Sequence, residues 1–193
     1  MLSVIIATLN NERALVRTLS ALVPAAATGV VREVIVADGG STDATVEIAD
    51  LAGCDITTSG ETLEKRLAAA ASKARSDWLM FLRPGVILDP TWTDEITQFV
   101  QQTETRGDAG LNAAIFRRSR MFSPNTSVLV EALSMLRTAL FSRVEPDQGL
   151  IIARRQYEAM GGHRAAADTE ADLLHRIGRR LIVLRSGAAS AVD

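Results

Sequence analysis

Residues 30–47 read VVREVIVADGGSTDATVE. An unbroken apolar run ends on Asp38, passes through Gly39 and Gly40, and opens an amphipathic segment with Ser41, Thr42 and Asp43. This predicts a buried strand over 33–38, a polar turn, and a helix capped by Ser41 or Thr42 that ends near Ala52. Glycine has no side chain and tolerates positive φ, so such a turn can bring backbone N–H groups and the Asp38 carboxylate close to a ligand. A nucleotide suits that geometry. An ordinary strand-to-helix turn with a Ser/Thr cap explains the same residues, and the choice between them rests on the rest of the chain.

The same alternation continues on both sides. LSVIIAT (2–8) is a second fully apolar strand, followed by a helix capped by Asn10 or Asn11 with Leu15, Leu19, Leu22 and Val23 on one face. CDITTS (54–59) reads as a strand, 61–75 as an Ala-rich helix, and DWLMFL (77–82) as a strand broken by Pro84 and Gly85. Strands that are apolar throughout and alternate with helices predict a Rossmann-like α/β fold, a mostly parallel sheet with helices on both faces. Residues 1–90 form a nucleotide-binding half of a single domain spanning 1–193, and residues 91–193 form the other half.

In that second half, Thr91 starts a helix to about Thr105, and 111–118 is a strand. GLIIARRQYEAMGG (149–162) is a short strand, a helix and a glycine stop; a last helix over 169–178 leads into LIVLRS. Residues 125–143 carry Val128, Leu129, Leu133, Leu136, Leu140 and Phe141 at helical spacing. Such a helix can rest on a membrane surface, but its polar face is not strongly basic, which favours burial in the core or in a homodimer interface.

Composition excludes several classes. A formal charge of -2 over 193 residues supplies no basic field for nucleic acid. The single cysteine, Cys54, rules out an internal disulfide or a Cys-built metal site and reads as a buried structural thiol, consistent with the cytoplasm. The opening MLSVIIATLNNER lacks a basic region, and its apolar stretch is too short for a signal peptide or a membrane span.

Five segments in order, SVIIATLNNE (3–12), VIVADGGSTDAT (34–45), DWLMFL (77–82), DQGLIIARR (147–155), and GGH (161–163) followed by TEADLLHRIGRR (169–180), together resemble the family 2 glycosyltransferases of GT-A fold. The nearest likeness is to a bacterial subgroup with DGGSTD, FLHADT, GDQG and EDVDL motifs. The resemblance implies transfer of a sugar, with inversion, from a nucleoside diphosphate sugar, first of all a UDP-sugar, to an acceptor hydroxyl. It places the nucleotide at Thr8, Asn10, Glu12, Asp38 and Gly39, and the donor sugar and acceptor near Asp147 and Gln148.

Such chemistry has three requirements: a held nucleotide, a neutralised diphosphate and a base for the acceptor proton. For the second, the family has carboxylates after its fourth strand that hold Mn or Mg. Here Arg83-Pro84-Gly85 stands instead, without a carboxylate, so no metal ligand is assigned and Arg83 becomes the candidate for the phosphate. Asp89 reads as part of a turn opening the next helix. The RGxQL stretch of the subgroup is replaced by Leu63-Glu64-Lys65-Arg66-Leu67, which keeps a basic side chain at a shifted place.

For the third requirement, alignment with EDVDL puts Glu170 where the family has its base. Helical spacing independently sets Glu170 on the face of Leu173, Leu174 and Ile177, and assigns Asp172 to a capping box with Thr169. His163 reads as a surface or capping residue and His175 as exposed. A degenerate domain that binds a nucleotide or a protein without catalysis is the competing reading, favoured by the missing carboxylates. A nucleotidyltransferase lacks its Gly-rich phosphate loop here.

Overall fold

Strand and helix boundaries follow the apolar pattern closely. The computed structural model describes residues 1–108, 110–119 and 146–190. The elements run β1 (Leu2–Thr8), α1 (Glu12–Ala27), β2 (Val31–Asp38), α2 (Thr45–Leu51), β3 (Asp55–Thr58), α3 (Leu63–Lys73), β4 (Trp78–Leu82) and β5 (Val86–Leu88). They continue with α4 (Trp92–Thr105), β6 (Ala113–Arg118), a 3-10 turn (Pro146–Gln148), β7 (Leu150–Ala153), α5 (Arg154–Ala159), α6 (Thr169–Ile177) and β8 (Leu181–Ser190). The apolar segment 125–143 lies outside the described residues.

The eight strands of the described residues form one sheet in the order β3-β2-β1-β4-β7-β6-β8-β5. The pairs β2–β3, β1–β2, β1–β4 and β6–β8 are parallel; β4–β7, β6–β7 and β5–β8 are antiparallel. Period-two alternation sends successive side chains of each strand to opposite faces, and here both faces are covered. Val4, Ile6, Met80, Ile151 and Phe116 pack under α1, α2 and α4 with Leu15, Ala49 and Ile96. Ile5, Leu79, Phe81, Ile115 and Ile152 face α3, α5 and α6 with Leu67, Tyr157 and Leu173. That double burial explains why the middles of these strands are apolar on both faces, each large side chain contributing roughly 1.5–3 kcal/mol.

Several local expectations are corrected. Val23 is 62% exposed, because the buried stripe of α1 runs through Leu15, Thr18, Leu22 and Ala25. Asn11 stands before α1 without a capping bond; its Oδ1 accepts from Leu9 N instead. Ser41 and Thr42 do not cap α2, whose first N–H, on Thr45, is met by Asp43 Oδ1 at 3.0 Å. Asp168 rather than Thr169 caps α6, accepting from Glu170 N and Ala171 N, and Asp172 pairs with Arg176 at 2.8 Å. Asp89 does close a turn, accepting from Thr91 N and from Gly187 N. Cys54 is half-buried against the core, its thiol pushed up to about 11 by burial and by Asp55. Among the described residues no helix is long and apolar enough to cross a membrane.

Candidate functional site

Parallel β1, β2 and β4 end along one edge of the sheet, and nearly every candidate residue lies there. β1 and β2 are in register, with Thr8 opposite Asp38. Thr8 Oγ1 donates to Asp38 Oδ1 at 2.9 Å, while Gly40 N and Ser41 N each donate to Oδ2 at 2.8 Å. Ser41 Oγ also donates to Oδ1 at 2.5 Å. Burial alone would raise the Asp38 carboxyl; the Ser41, Gly40 and Thr8 hydrogen bonds outweigh it and hold the group below the usual value. Asp38 is fully buried, so it shapes the turn from beneath.

The two glycines serve different ends. Gly40 has φ +94, which a side chain disfavours. Gly39 makes room: a Cβ there would stand 2.9 Å from Arg66 Nη1. That guanidinium reaches up from α3 and donates to Thr8 O at 2.9 Å and Ala37 O at 2.8 Å, tying together the last turns of β1 and β2. The shifted basic residue therefore stands beneath the turn.

The β1 tail is stitched to the same turn. Asn10 takes φ 54, a left-handed value that asparagine tolerates. Its Oδ1 accepts from Thr42 N at 2.8 Å and its N–H donates to Ser41 Oγ at 2.9 Å. Glu12 N donates to Asp43 Oδ2, and Glu12 Oε2 accepts from Ala44 N at 3.3 Å. Thr8, Asn10, Glu12, Asp38 and Gly39 thus form one connected rim.

A second group forms beyond β4. Arg83-Pro84-Gly85-Val86 is a β-turn closed by Val86 N donating to Arg83 O, with proline second and Gly85 third at φ +90. Gly85 N is also bound by Thr18 Oγ1 at 2.9 Å, which anchors the turn to α1. The antiparallel pairing of β4 with β7 sets Leu150 beside Phe81, so the preceding 3-10 turn carries Asp147 to the same edge. Arg83 Nη1 contacts Asp147 Oδ1 at 3.2 Å; Nε and Nη2 meet Glu170 Oε2 at 2.7 and 2.6 Å. Asp168 Oδ2 stands 4.0 Å from Nη2.

Glu170 is the buried member of this cluster, its side chain 15% exposed against 35% for Asp147 and 50% for Asp168. It shares a narrow cleft with Phe81, Pro146, Gly149, His163 and Leu174. Burial raises its carboxyl above the ordinary value; the Arg83 bond and charge offset this only in part, and Asp168 and Asp147 add to the rise. A buried carboxyl with a raised pKa at the mouth of a cleft is suited to taking up a proton.

Gln148 is turned inward, its Nε2 donating to Phe116 O at 2.9 Å. His163 is buried rather than at the surface, stacked edge-on against Phe81 with ring centroids 4.8 Å apart. Its backbone N–H donates to Tyr157 Oη, and its Nδ1 shares a hydrogen bond with the same phenol oxygen at 2.8 Å. Burial, then Arg176, lowers its pKa to about 4 and keeps it neutral. Asp168 went unassigned in the sequence reading; an aspartate directly before a helix start was the signal that could have found it.

A mixed α/β sheet with helices on both faces, a polar turn over its carboxyl edge and a buried acid beside that turn is the architecture of a GT-A fold. The sequence profile described as Glycosyl transferase family 2 matches residues 3–128, and the chain belongs to that family. No curated protein sequence matches it. Among solved structures, the mannosyltransferase PcManGT of Pyrobaculum calidifontis with GDP-Man and Mn2+ superposes with a TM-score of 0.75 at 16% identity, over 100% of this chain and 57% of that one. TarS 1-349 of S. aureus gives 0.71 at 15%, over 98% of this chain and 60% of the other. Glucosyl-3-phosphoglycerate synthase of Mycobacterium tuberculosis with Mn2+, UDP and glucosyl-3-phosphoglycerate gives 0.67 at 19%, over 100% and 72%. The chain therefore spans about 60% of the first of these proteins' length or less.

Two of these structures hold Mn2+. The residues here do not fit such an ion. A cation, Arg83, already occupies the turn after β4, and among the described residues no group of three or more His, Cys, Asp or Glu side chains is arranged to hold a metal.

Proposed function

We propose that this chain transfers a sugar from a nucleoside diphosphate sugar to an acceptor hydroxyl, by direct displacement that inverts the anomeric centre. The observation carrying this reading is the convergence of Glu170, Arg83 and Asp147 on the edge where β1 and β2 deliver the Asp38–Gly40–Ser41 turn. The rim of residues 1–90 takes the nucleotide, with Thr8, Asn10, Glu12, Asp38 and Gly39 shaping it; residues 91–193 supply the acceptor side with Asp147, whose turn the inward-facing Gln148 anchors to Phe116 O. Glu170 accepts the acceptor's proton as the hydroxyl attacks. A UDP-sugar is the first choice of donor, since UDP, UDP-GlcNAc and UDP-glucose are bound by two of the similar proteins, and GDP-Man by the third.

A second reading, a domain that holds a nucleotide or a protein partner without transferring sugar, is favoured by the absence of carboxylates in Arg83-Pro84-Gly85. Release of nucleoside diphosphate from UDP-glucose, UDP-GlcNAc and GDP-mannose, with water as a surrogate acceptor, separates the two. Turnover that disappears in Glu170→Gln supports the transferase. Nucleotide binding without turnover on any donor supports the second reading.

A further inference from the structure

We propose that Arg83 is the resident cation of this site: its guanidinium binds the donor diphosphate without a divalent metal and, in doing so, lets go of Glu170. This rests on the nucleotide-sugar reading above and concerns how the diphosphate is met.

Arg83 is held in place at its backbone and adaptable at its tip. The Pro84-Gly85 turn and the Thr18 bond to Gly85 N fix where the side chain begins. The side chain is 37% exposed and its guanidinium bonds Glu170, which lines the cleft, so the tip is within reach of a ligand from solvent. Guanidinium has five N–H donors in a planar fork. Nε and Nη2 each turn one toward Glu170 Oε2, and Nη1 turns one toward Asp147 at 3.2 Å. Among the described residues, one N–H on each of Nη1 and Nη2 has no hydrogen-bond acceptor, Asp168 at 4.0 Å being beyond reach of Nη2. Phosphate oxygens match that fork as well as a carboxylate does and bring more negative charge.

A divalent ion placed on Glu170 or Asp147 would stand against the guanidinium, like charge on like. The arginine and the metal are alternatives at this position. Exchange of partners also couples the two halves of the reaction. While Arg83 holds Glu170, the carboxylate is paired and a weaker proton acceptor. Once the guanidinium turns to the diphosphate, Glu170 is left in a buried cleft with Phe81 and His163 and in the field of Asp168 and Asp147. Burial and the two carboxylates then strengthen its hold on a proton. In the transfer step the acceptor O–H bond breaks and its proton goes to Glu170. The acceptor oxygen bonds the anomeric carbon as the bond from that carbon to the diphosphate oxygen breaks. The electron pair leaves with the diphosphate, whose added charge Arg83 meets.

Calorimetry of UDP and GDP with the full chain, in EDTA and in manganese chloride, tests this. The parent protein is expected to bind its nucleotide equally in both buffers. Arg83→Ala should weaken binding by roughly ten- to a hundredfold, the worth of a charge-assisted hydrogen-bonded pair. Arg83→Lys keeps the charge, protects the fold, and should fall between. Difference titration of the parent and Glu170→Gln, without and with nucleotide, should show the Glu170 carboxyl titrating at higher pH in the complex while still ionised at the pH of turnover. Binding that requires manganese, equal binding by Arg83→Ala, or a Glu170 titration unmoved by nucleotide would each overturn this assignment while leaving the nucleotide reading intact. No nucleotide bound in either buffer would overturn both. If Arg83→Ala does not fold, the metal comparison on the parent and the lysine variant decide.

Discussion

Gly39 and Arg66 share one space: a Cβ on Gly39, in the turn after β2, would lie 2.9 Å from Nη1 and 3.0 Å from Cζ of an arginine rooted on α3. Arginine tips usually yield to such an intrusion, but this one is anchored by Thr8 O and Ala37 O. Gly39→Ala should therefore break those bonds and lower stability by about 1–3 kcal/mol in urea unfolding. Because the clash and the bonds involve the same guanidinium, the double variant Gly39→Ala with Arg66→Ala should lose less than the sum of the two single changes. Strict additivity would show that the pair is not coupled.

His163 sets part of the acid limit of the fold. Its pKa falls from 6.5 to about 4 because burial disfavours the imidazolium. Between those values the unfolded chain binds the proton and the folded chain does not, so stability is lost as pH drops from 6.5 toward 4. The loss amounts to about 3 kcal/mol. His163→Gln should flatten that part of the pH–stability curve relative to the parent. An unchanged slope would mean that the ring titrates freely in the native state.

What could be read along the chain and what could not divide on physical lines. LSVIIAT and DWLMFL announce buried strands because both faces of the sheet are covered, and the carboxylate of Glu170 was placed inward by helical spacing alone. β5 escaped because three residues after a Pro-Gly turn carry no period, and β8 runs on to Ser190 through small residues, with Ala188 and Ala189 paired to β5. His163 was misplaced because its burial depends on Phe81 and Tyr157, contacts that no local pattern encodes. Arg83 stands out in the sequence as a cation where carboxylates are expected, but its partners Asp147 and Glu170 lie 64 and 87 residues away and only topology brings them together.

Gly149 connects that cluster to the sheet. It has φ +65, and a Cβ there would stand 2.7 Å from Leu82 Cδ2 and 3.2 Å from Phe116 Cδ2, both in the core. Backbone strain and overpacking act together, so Gly149→Ala should cost roughly 2–4 kcal/mol. The change also pushes Asp147 away from Arg83. Thermal unfolding checks the first effect. The second predicts weaker nucleotide binding at a temperature where the variant is still folded; parent-like affinity there would remove Asp147 from the site.

Glu170 makes two opposite demands on pH. Its folded pKa lies above the ordinary glutamate value of 4.5, so over the interval between them the folded protein binds the proton and the unfolded chain has released it. Its contribution to stability is full below 4.5 and falls as pH rises to the folded value, after which it is constant. Subtracting the Glu170→Gln curve from that of the parent should reveal this descent, set against the opposite slope from Asp38 and Glu33, whose carboxyls are lowered. Activity moves the other way, because a base must be ionised to take a proton. The acid limb of kcat/KM should lie above 4.5, at the titration of Glu170. Arg83→Lys, which loosens the pair, should move that limb to still higher pH. A limb at or below the ordinary value, or one that stays in place in Arg83→Lys, would assign the base to another group.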